Sequence, residues 1–206
     1  PRVRILTFIP KEDNSYEEFN LRVVGILQAK DLPPQIEPIN FRQAYQKQYL
    51  AQSITISGLS AEIFSKALKG ITVIHRHMSR FFKDGAMQAW APSDLQGHPA
   101  INIKSRYFSS TRDLGNPSSI PFDKRLDPNG ILTNLVDDKW VHTQDNVVDY
   151  CQAKETEDGS IRYVKCDPSI FRIGDIVEVD IGFIAIPISS NQMRMGLVLR
   201  SLTVLE

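Results

Sequence analysis

Asp175-Ile176-Val177-Glu178-Val179-Asp180-Ile181-Gly182-Phe183-Ile184-Ala185-Ile186-Pro187-Ile188 is followed, after a short polar stretch, by Met193-Arg194-Met195-Gly196-Leu197-Val198-Leu199-Arg200-Ser201-Leu202-Thr203-Val204-Leu205. In the first run Val177, Val179, Ile181, Phe183 and Ala185 point one way, and Glu178 and Asp180 the other, as side chains do on a strand. In the second, Met193, Met195, Leu197 and Leu199 share a face opposite Arg194 and Arg200. The two apolar faces meet only if the connecting loop has an odd number of residues. A Ser189–Asn191 loop satisfies this and sets Arg200 opposite Asp180. Past Arg200 the alternation shifts to Leu202 and Val204, which predicts a bulge.

Working back along the chain, the pattern stays β as far as Gly85. Strands are predicted over Ala86–Ala91, Ile101–Phe108, Ile131–Val136, Trp140–Thr143, Val147–Ala153 and Ile161–Cys166. Thr111–Gly130, with Pro117, Pro121 and Pro128, reads as a long loop, the kind that is usually functional or mobile. Before Gly85 the period changes. Ile63, Phe64, Ala67, Leu68, Ile71, Ile74, Met78, Phe81 and Phe82 recur at three- and four-residue steps, which predicts one long amphipathic helix over Ser60–Lys83. Ser60 is suited to its N-cap, Asp84-Gly85 to its stop, and Gly70 is a weak point inside it. Arg2–Ile9, Phe19–Ala29 and Gln52–Ser57 read as further strands. Between the last two lie a Pro-rich connection through Pro38 and a short helix over Phe41–Tyr49.

The chain has 206 residues, 42% hydrophobic and 23% charged, with Lys+Arg 24 balancing Asp+Glu 24. That is enough apolar material for a sizeable core, and it excludes disordered, collagen-like and disulfide-scaffold classes. Zero net charge excludes a polycation while leaving room for a local basic patch. No internal repeat stands out, and a single β-rich domain over residues 1–206 is expected. The N-terminus carries no apolar signal core, and no uncharged run is long enough for a membrane helix, so an intracellular protein is expected. Cys151 and Cys166 flank an Asp158-Gly159 hairpin tip. Paired about that tip, Glu155 faces Arg162 and Cys151 faces Cys166, but at a hydrogen-bonded site where the Cα atoms stand wider apart. With the compartment argument, free thiols are expected.

Catalytic and cofactor motifs are not found. There is no phosphate-cradling Gly-rich loop, no nucleophile elbow and no His-Glu-x-x-His. His75 and His77 lie about 200° apart around a helix and cannot share a metal ion there. His98 and His142 have no partner at a metal-ligand spacing, so neither a metal nor a cofactor is expected. Asp137-Asp138 reads as a turn, and Glu178/Asp180 as solvated or arginine-paired. A pocket lined by His142, Asp137 and Asp138 would be the place to look for an enzyme.

Two patterns point to a polyanion instead. Lys69, Arg76, Arg80 and Lys83 line one polar stripe of the helix, with Lys66 beside it, and such a stripe can follow a phosphate backbone. On the predicted strand Ile101–Phe108, Asn102, Lys104, Arg106 and Phe108 share one face while Ile101, Ile103 and Tyr107 fill the other. Cations with an aromatic on an open sheet face suit single-stranded nucleic acid, through charge on the backbone and stacking on the ring. Arg112, Lys124 and Arg125 add positive charge in the loop that follows, which could close over a ligand.

Phe171-Arg172-Ile173-Gly174-Asp175-Ile176-Val177-Glu178-Val179 and Leu197-Val198-Leu199-Arg200-Ser201-Leu202 resemble the tail of short uncharacterised proteins of mushroom-forming (basidiomycete) fungi. Asp127-Pro128-Asn129-Gly130-Ile131-Leu132-Thr133 and His142-Thr143-Gln144-Asp145-Asn146 are similar to them too. The resemblance implies a fungal, nucleocytoplasmic protein and no activity. Gly174-Asp175 opening a long strand, then a turn and a last strand, resembles the closing strands of OB-fold single-strand-binding domains. Here, however, the long helix precedes the main strand series.

The expected fold is α+β, mainly antiparallel β, as a sandwich or partly open barrel with one long helix packed through Ile63, Phe64, Leu68, Ile71, Met78 and Phe81. The expected function is non-enzymatic binding of single-stranded nucleic acid. The alternative is a self-associating scaffold, favoured by zero net charge and long terminal strands whose edges can pair with another subunit.

Overall fold

The computed structural model describes residues 3–8, 16–37, 39, 44–114 and 117–205. Within them the strands are β1 (Arg4–Ile5), β2 (Asn20–Asp31), β3 (Ala51–Ser57), β4 (Ser93–Leu95), β5 (His98–Arg106), β6 (Ser109–Ser110), β7 (Trp140–Val141), β8 (Asp149–Glu155), β9 (Ile161–Lys165), β10 (Ile176–Pro187) and β11 (Met193–Val204). The long helix is α1 (Glu62–Ser79).

The C-terminal alternation folds as it reads. Val177, Val179, Ile181 and Phe183 of β10 are fully buried, sharing the core face of the sheet with Met195, Leu197 and Leu199 of the adjacent strand. Ile188 pairs with Gln192 and Pro187 with Met193, so the loop is Ser189–Asn191. The bulge is present but falls on Arg200 itself: Ile181 pairs with Leu199 and Asp180 with Ser201. Arg200 is therefore the extra residue, and it does not face Asp180. Its guanidinium donates to Glu18 Oε1 at 2.8 and 3.1 Å, directly over Gly182. Asp180 instead accepts from Arg22 at 3.0 Å and from Ser201 at 2.9 Å.

Nine strands form one sheet in the order β4-β5-β3-β2-β10-β11-β8-β9, with β1 added to β10 beyond the end of β2. All pairings are antiparallel except β11 with β8. The fold is thus the expected mainly antiparallel β structure with one long helix. Its sheet is open, but it curls until the first half of β11 runs alongside β5. Counting antiparallel steps, β5 and β11 both run with β2, so they meet in parallel. β2, β3, β5, β10 and β11 together make a five-stranded, partly open Greek-key barrel.

In chain order α1 falls between the second and third of these strands, inside the strand series and not ahead of it. The helix is shorter than its sequence pattern at both ends. Leu59 and Ser60 adopt positive φ (43° and 75°), so Ser60 cannot cap; Ala61 takes the N-cap position without a side-chain bond. Ser60 Oγ sits 3.2 Å from His98 Nδ1 instead. Phe64, Ile71 and Met78 are buried, but Ile63 (62% exposed) and Phe81 (63%) are not core residues as expected. Ile63 is one position, about 100° around the helix, off the buried Phe64 row. Phe81 lies beyond the last turn and rests edge-on against His77, with ring centroids 5.3 Å apart. The helix runs unbroken through Gly70. Among the described residues, no helix is long and apolar enough to cross a membrane.

A second, smaller core of Tyr107, Phe108 and Leu132 lies under the connection between β5 and β8, with Leu50, Phe122, Leu135 and Trp140 packed on it. Two predicted strands are not formed, and the long loop has a place in this core. Ile131–Val136 is not a strand, because the Asp127 carboxylate accepts from the Leu132 and Thr133 amides at 3.0 and 2.8 Å and turns the chain. Ala86–Ala91 makes a single bridge, Met87 to Met193. The described part of Thr111–Gly130 is built into this core through Phe122, which stacks on His142 at 3.9 Å. In the earlier connection, Ala44–Tyr49 is a 3-10 helix, and residues 41–43 of the predicted helix lie outside the described residues.

The β8–β9 hairpin is slipped by one residue from the predicted register. Thr156 pairs with Ser160 around a three-residue tip whose Gly159 takes φ 78°, so Lys154 faces Arg162 and Cys151 faces Lys165. A two-residue Asp-Gly turn would need positive φ at both tip residues; here only the glycine has it. Cys151 and Cys166 are therefore not cross-strand partners, and both are free thiols.

His142 gives this second core a pH dependence. Burial pushes its imidazole below the ordinary 6.5, against the raising effect of the bond between Nδ1 and the Tyr107 carbonyl (2.9 Å). The folded form thus takes up a proton less readily than the unfolded chain. The sign follows from linkage: stability falls as pH drops below about 6.5 and levels off once the folded imidazole is protonated in turn. Thermal unfolding across this range should show a falling Tm that His142→Gln flattens. The same fall in the variant would assign it to other groups.

Candidate nucleic-acid interface

Alternation along β3 and β5 sorts their side chains cleanly. Ile54, Ile56, Ile101 and Ile103 go into the core, while Ser53, Thr55, Asn102, Lys104 and Arg106 face outward. Asn102 is fixed from both sides, accepting from Thr55 Oγ1 at 2.6 Å and donating to Ser93 Oγ at 3.1 Å. Lys104 and Arg106 follow on the same face. Because β11 runs beside β5, Arg194 arrives next to Lys104. The three line one open cleft of about 690 Å³ between the two strands, a volume within the usual range of ligand sites.

Among the described residues none of the three has an acidic partner. Their mutual repulsion shows in Lys104, whose ammonium is held below the ordinary lysine range by desolvation first, then by Arg194 and Arg106. Uncompensated like charges gathered in a concave site favour an anion. Arg200 lines the same cleft but is committed to Glu18 and donates to the Asp145 carbonyl at 2.5 Å. Asp113, Asp145 and Trp90 also line the cleft.

The other residues singled out from the sequence are not brought here. Phe108 is 0% exposed and packs edge-on against Phe122 in the second core, with centroids 5.8 Å apart. It cannot stack a base, because β5 ends at Arg106 and the chain turns inward. Lys69, Arg76, Arg80 and Lys83 are exposed, but none lines the cleft between β5 and β11; Arg80 is the C-cap of α1 and Lys83 lies beyond the helix. Lys66 pairs with Glu62 at 2.9 Å. Arg112 is exposed on a single helical turn, Thr111–Leu114, outside the cleft lining. Arg125 is taken up by Asp123.

The candidates for other chemistry are likewise occupied. Asp137 accepts from Lys47 Nζ at 2.6 Å and from the Lys139 and Trp140 amides at 2.9 and 2.8 Å. His142 is buried between Phe122 and the Tyr107 carbonyl, and neither it nor Asp137 or Asp138 lines the cleft between β5 and β11. His75 Nε2 lies 2.8 Å from the Gln88 carbonyl, well away from His77's contact with Phe81. Among the described residues no cluster of three His, Cys, Asp or Glu is placed to hold a metal.

Arg194 and Trp90 are among the cleft residues that sequence reasoning did not select. The outward position of Arg194 was legible from its alternation with Met193 and Met195. Its juxtaposition with Lys104, some 90 residues away in the chain, was not.

No protein-family model matches this chain. No curated protein matches it either. Among solved structures it is similar to gp2.5, a single-stranded DNA binding protein encoded by bacteriophage T7, with 11% identity and a TM-score of 0.42 over 91% of each chain. Likeness at that level carries no argument for fold or function.

Proposed function

We propose that this chain binds single-stranded nucleic acid through the cleft between β5 and β11 and catalyses no reaction on it. The observation that carries the reading is the convergence of unpaired Lys104, Arg106 and Arg194 on one concave face. A row of cations in a groove can track a flexible phosphate backbone. The strand order supports it: β2, β3, β5, β10 and β11 follow the connectivity of an OB-type barrel, and β3 and β5 occupy the second and third places. The face of those two strands is the one OB barrels use for oligonucleotides.

The test is titration of the protein into labelled single-stranded and duplex oligonucleotides at several salt concentrations. Three phosphate contacts predict a slope of log K against log salt of about −2 on single strands, with weaker binding to duplex. No binding at low salt would overturn the reading. Self-association is the second reading, and β9 favours it. That strand closes the sheet with Ile161, Tyr163 and Val164 exposed, an edge that could pair with another copy. Light scattering on the same samples separates the two, since an oligomer that survives dilution and ignores nucleic acid supports the second.

A further inference from the structure

The cleft has two chemically different halves. Beyond β11, seen from Lys104 and Arg106, lies an apolar wall built on β10 and β1, with Arg194 at its near edge. Ile5 of β1 pairs with Ile184 of β10, and Ile184 with Gly196 of β11; one step along, Ile186 pairs with Arg194. Paired residues share a face, so Ile5, Ile184 and Ile186 stand on the same surface as Arg194, and Val3 extends it at the N-terminus. All of them line the cleft. Gly196 shapes this wall. A Cβ there would lie 2.7 Å from Ile186 Cδ1 and 3.1 Å from Ile184 Cγ1, so the missing side chain lets both isoleucines lie flat against β11. Val3 and Ile5 remain 46% and 45% exposed, apolar surface left in water beside a charged row.

We propose that Val3, Ile5, Ile184 and Ile186 are the base-holding half of the interface, with the phosphates running along Lys104, Arg106 and Arg194. This rests on the reading of the cleft as a nucleic-acid site. A single strand is the occupant whose chemistry fits both halves: one edge is anionic at every residue, and the other presents flat, weakly hydrated rings. The wall offers no hydrogen-bond donors or acceptors from its side chains, so it would take any base. The N-terminal strand is then a working part of the site and not only an addition to the sheet.

The experiment compares a labelled oligo-dT with an abasic oligonucleotide of equal length, using the full chain. Covering several bases should make oligo-dT bind about 10-fold tighter than the abasic strand, which corresponds to about 50 Å² of apolar surface removed from water. Ile5→Ser/Ile184→Ser should shrink that ratio to about 2-fold or less, leaving abasic affinity and salt slope unchanged. Ile5→Ser alone, at a half-exposed position, should move it the same way if the double variant does not fold. Equal binding of both oligonucleotides by the unaltered protein, with the salt slope intact, overturns this inference and spares the proposed function. Full discrimination retained by a folded variant overturns it as well. Loss of salt-dependent binding to both strands by the unaltered protein would instead sink the proposed function.

Discussion

Gly58→Ala is expected to lower the stability of the protein by about 3 kcal/mol, the upper end of what overpacking costs. The new Cβ would lie 2.2 Å from Phe64 Cβ and 2.5 Å from its Cγ. Those atoms sit next to the α1 main chain, so no rotamer change clears them and the first turn of the helix must move. That turn is held by Phe64, which is buried in the main core and fills the space over Gly25 together with Ile56. Moving it opens a void between helix and sheet while straining the β3–α1 junction, where Leu59 and Ser60 already have positive φ. Gly70→Ala gives the opposite sign. Its Cβ would meet only Leu21 Cδ2, at 4.0 Å, and alanine in a helix interior is favoured over glycine by about 1 kcal/mol. Urea unfolding followed by circular dichroism reads both; equal midpoints for Gly58→Ala and the unaltered protein would show that the helix start can yield freely.

Removing the three cleft cations together, as Lys104→Ala/Arg106→Ala/Arg194→Ala, should weaken binding to a single-stranded oligonucleotide about 100-fold at low salt and flatten its salt dependence. The estimate takes each phosphate contact as one released counterion and about 1 kcal/mol. Folding stability should not suffer, because the three repel one another and have no acidic partner among the described residues. Lys69→Ala/Arg76→Ala/Arg80→Ala on the helix is the matched comparison, with the same charge change on a convex surface outside the cleft. It should leave the salt slope as it was. If the helix variant lost binding and the cleft variant kept it, the interface would lie on α1.

The contrast between these two sets of cations shows how far periodicity reaches. Alternation is a local property, and it placed Lys104 and Arg106 outward and Ile101 and Ile103 inward correctly because both sit inside β5. It failed for Phe108 two residues on, since the strand had ended and the chain had entered a second core that no pattern announces. The helical period located Phe64, Ile71 and Met78 but carried Ile63 and Phe81 along, because a stripe read over Ser60–Lys83 ignores where the helix starts and stops. The one-residue slip in the β8–β9 hairpin has the same origin. Asp-Gly signals a turn, but the number of residues in its tip depends on backbone angles that the dipeptide alone does not specify.

By itself, then, the amino-acid order determined the class of fold and the long β10–β11 pair, with its three-residue loop and its bulge. It also determined the Phe64, Ile71 and Met78 row of the helix and the outward direction of Lys104, Arg106 and Arg194. Each of these follows from side-chain spacing within one element or across one short turn. Only the tertiary structure decided that β11 runs beside β5, that Arg194 meets Lys104 there, that Glu18 takes Arg200 away, and that β1 extends the apolar wall of β10 on the far side of β11 from Lys104 and Arg106. Such contacts join segments tens of residues apart. They depend on how far the sheet curls, and that is set by the packing of the whole core against the helix and not by any local period.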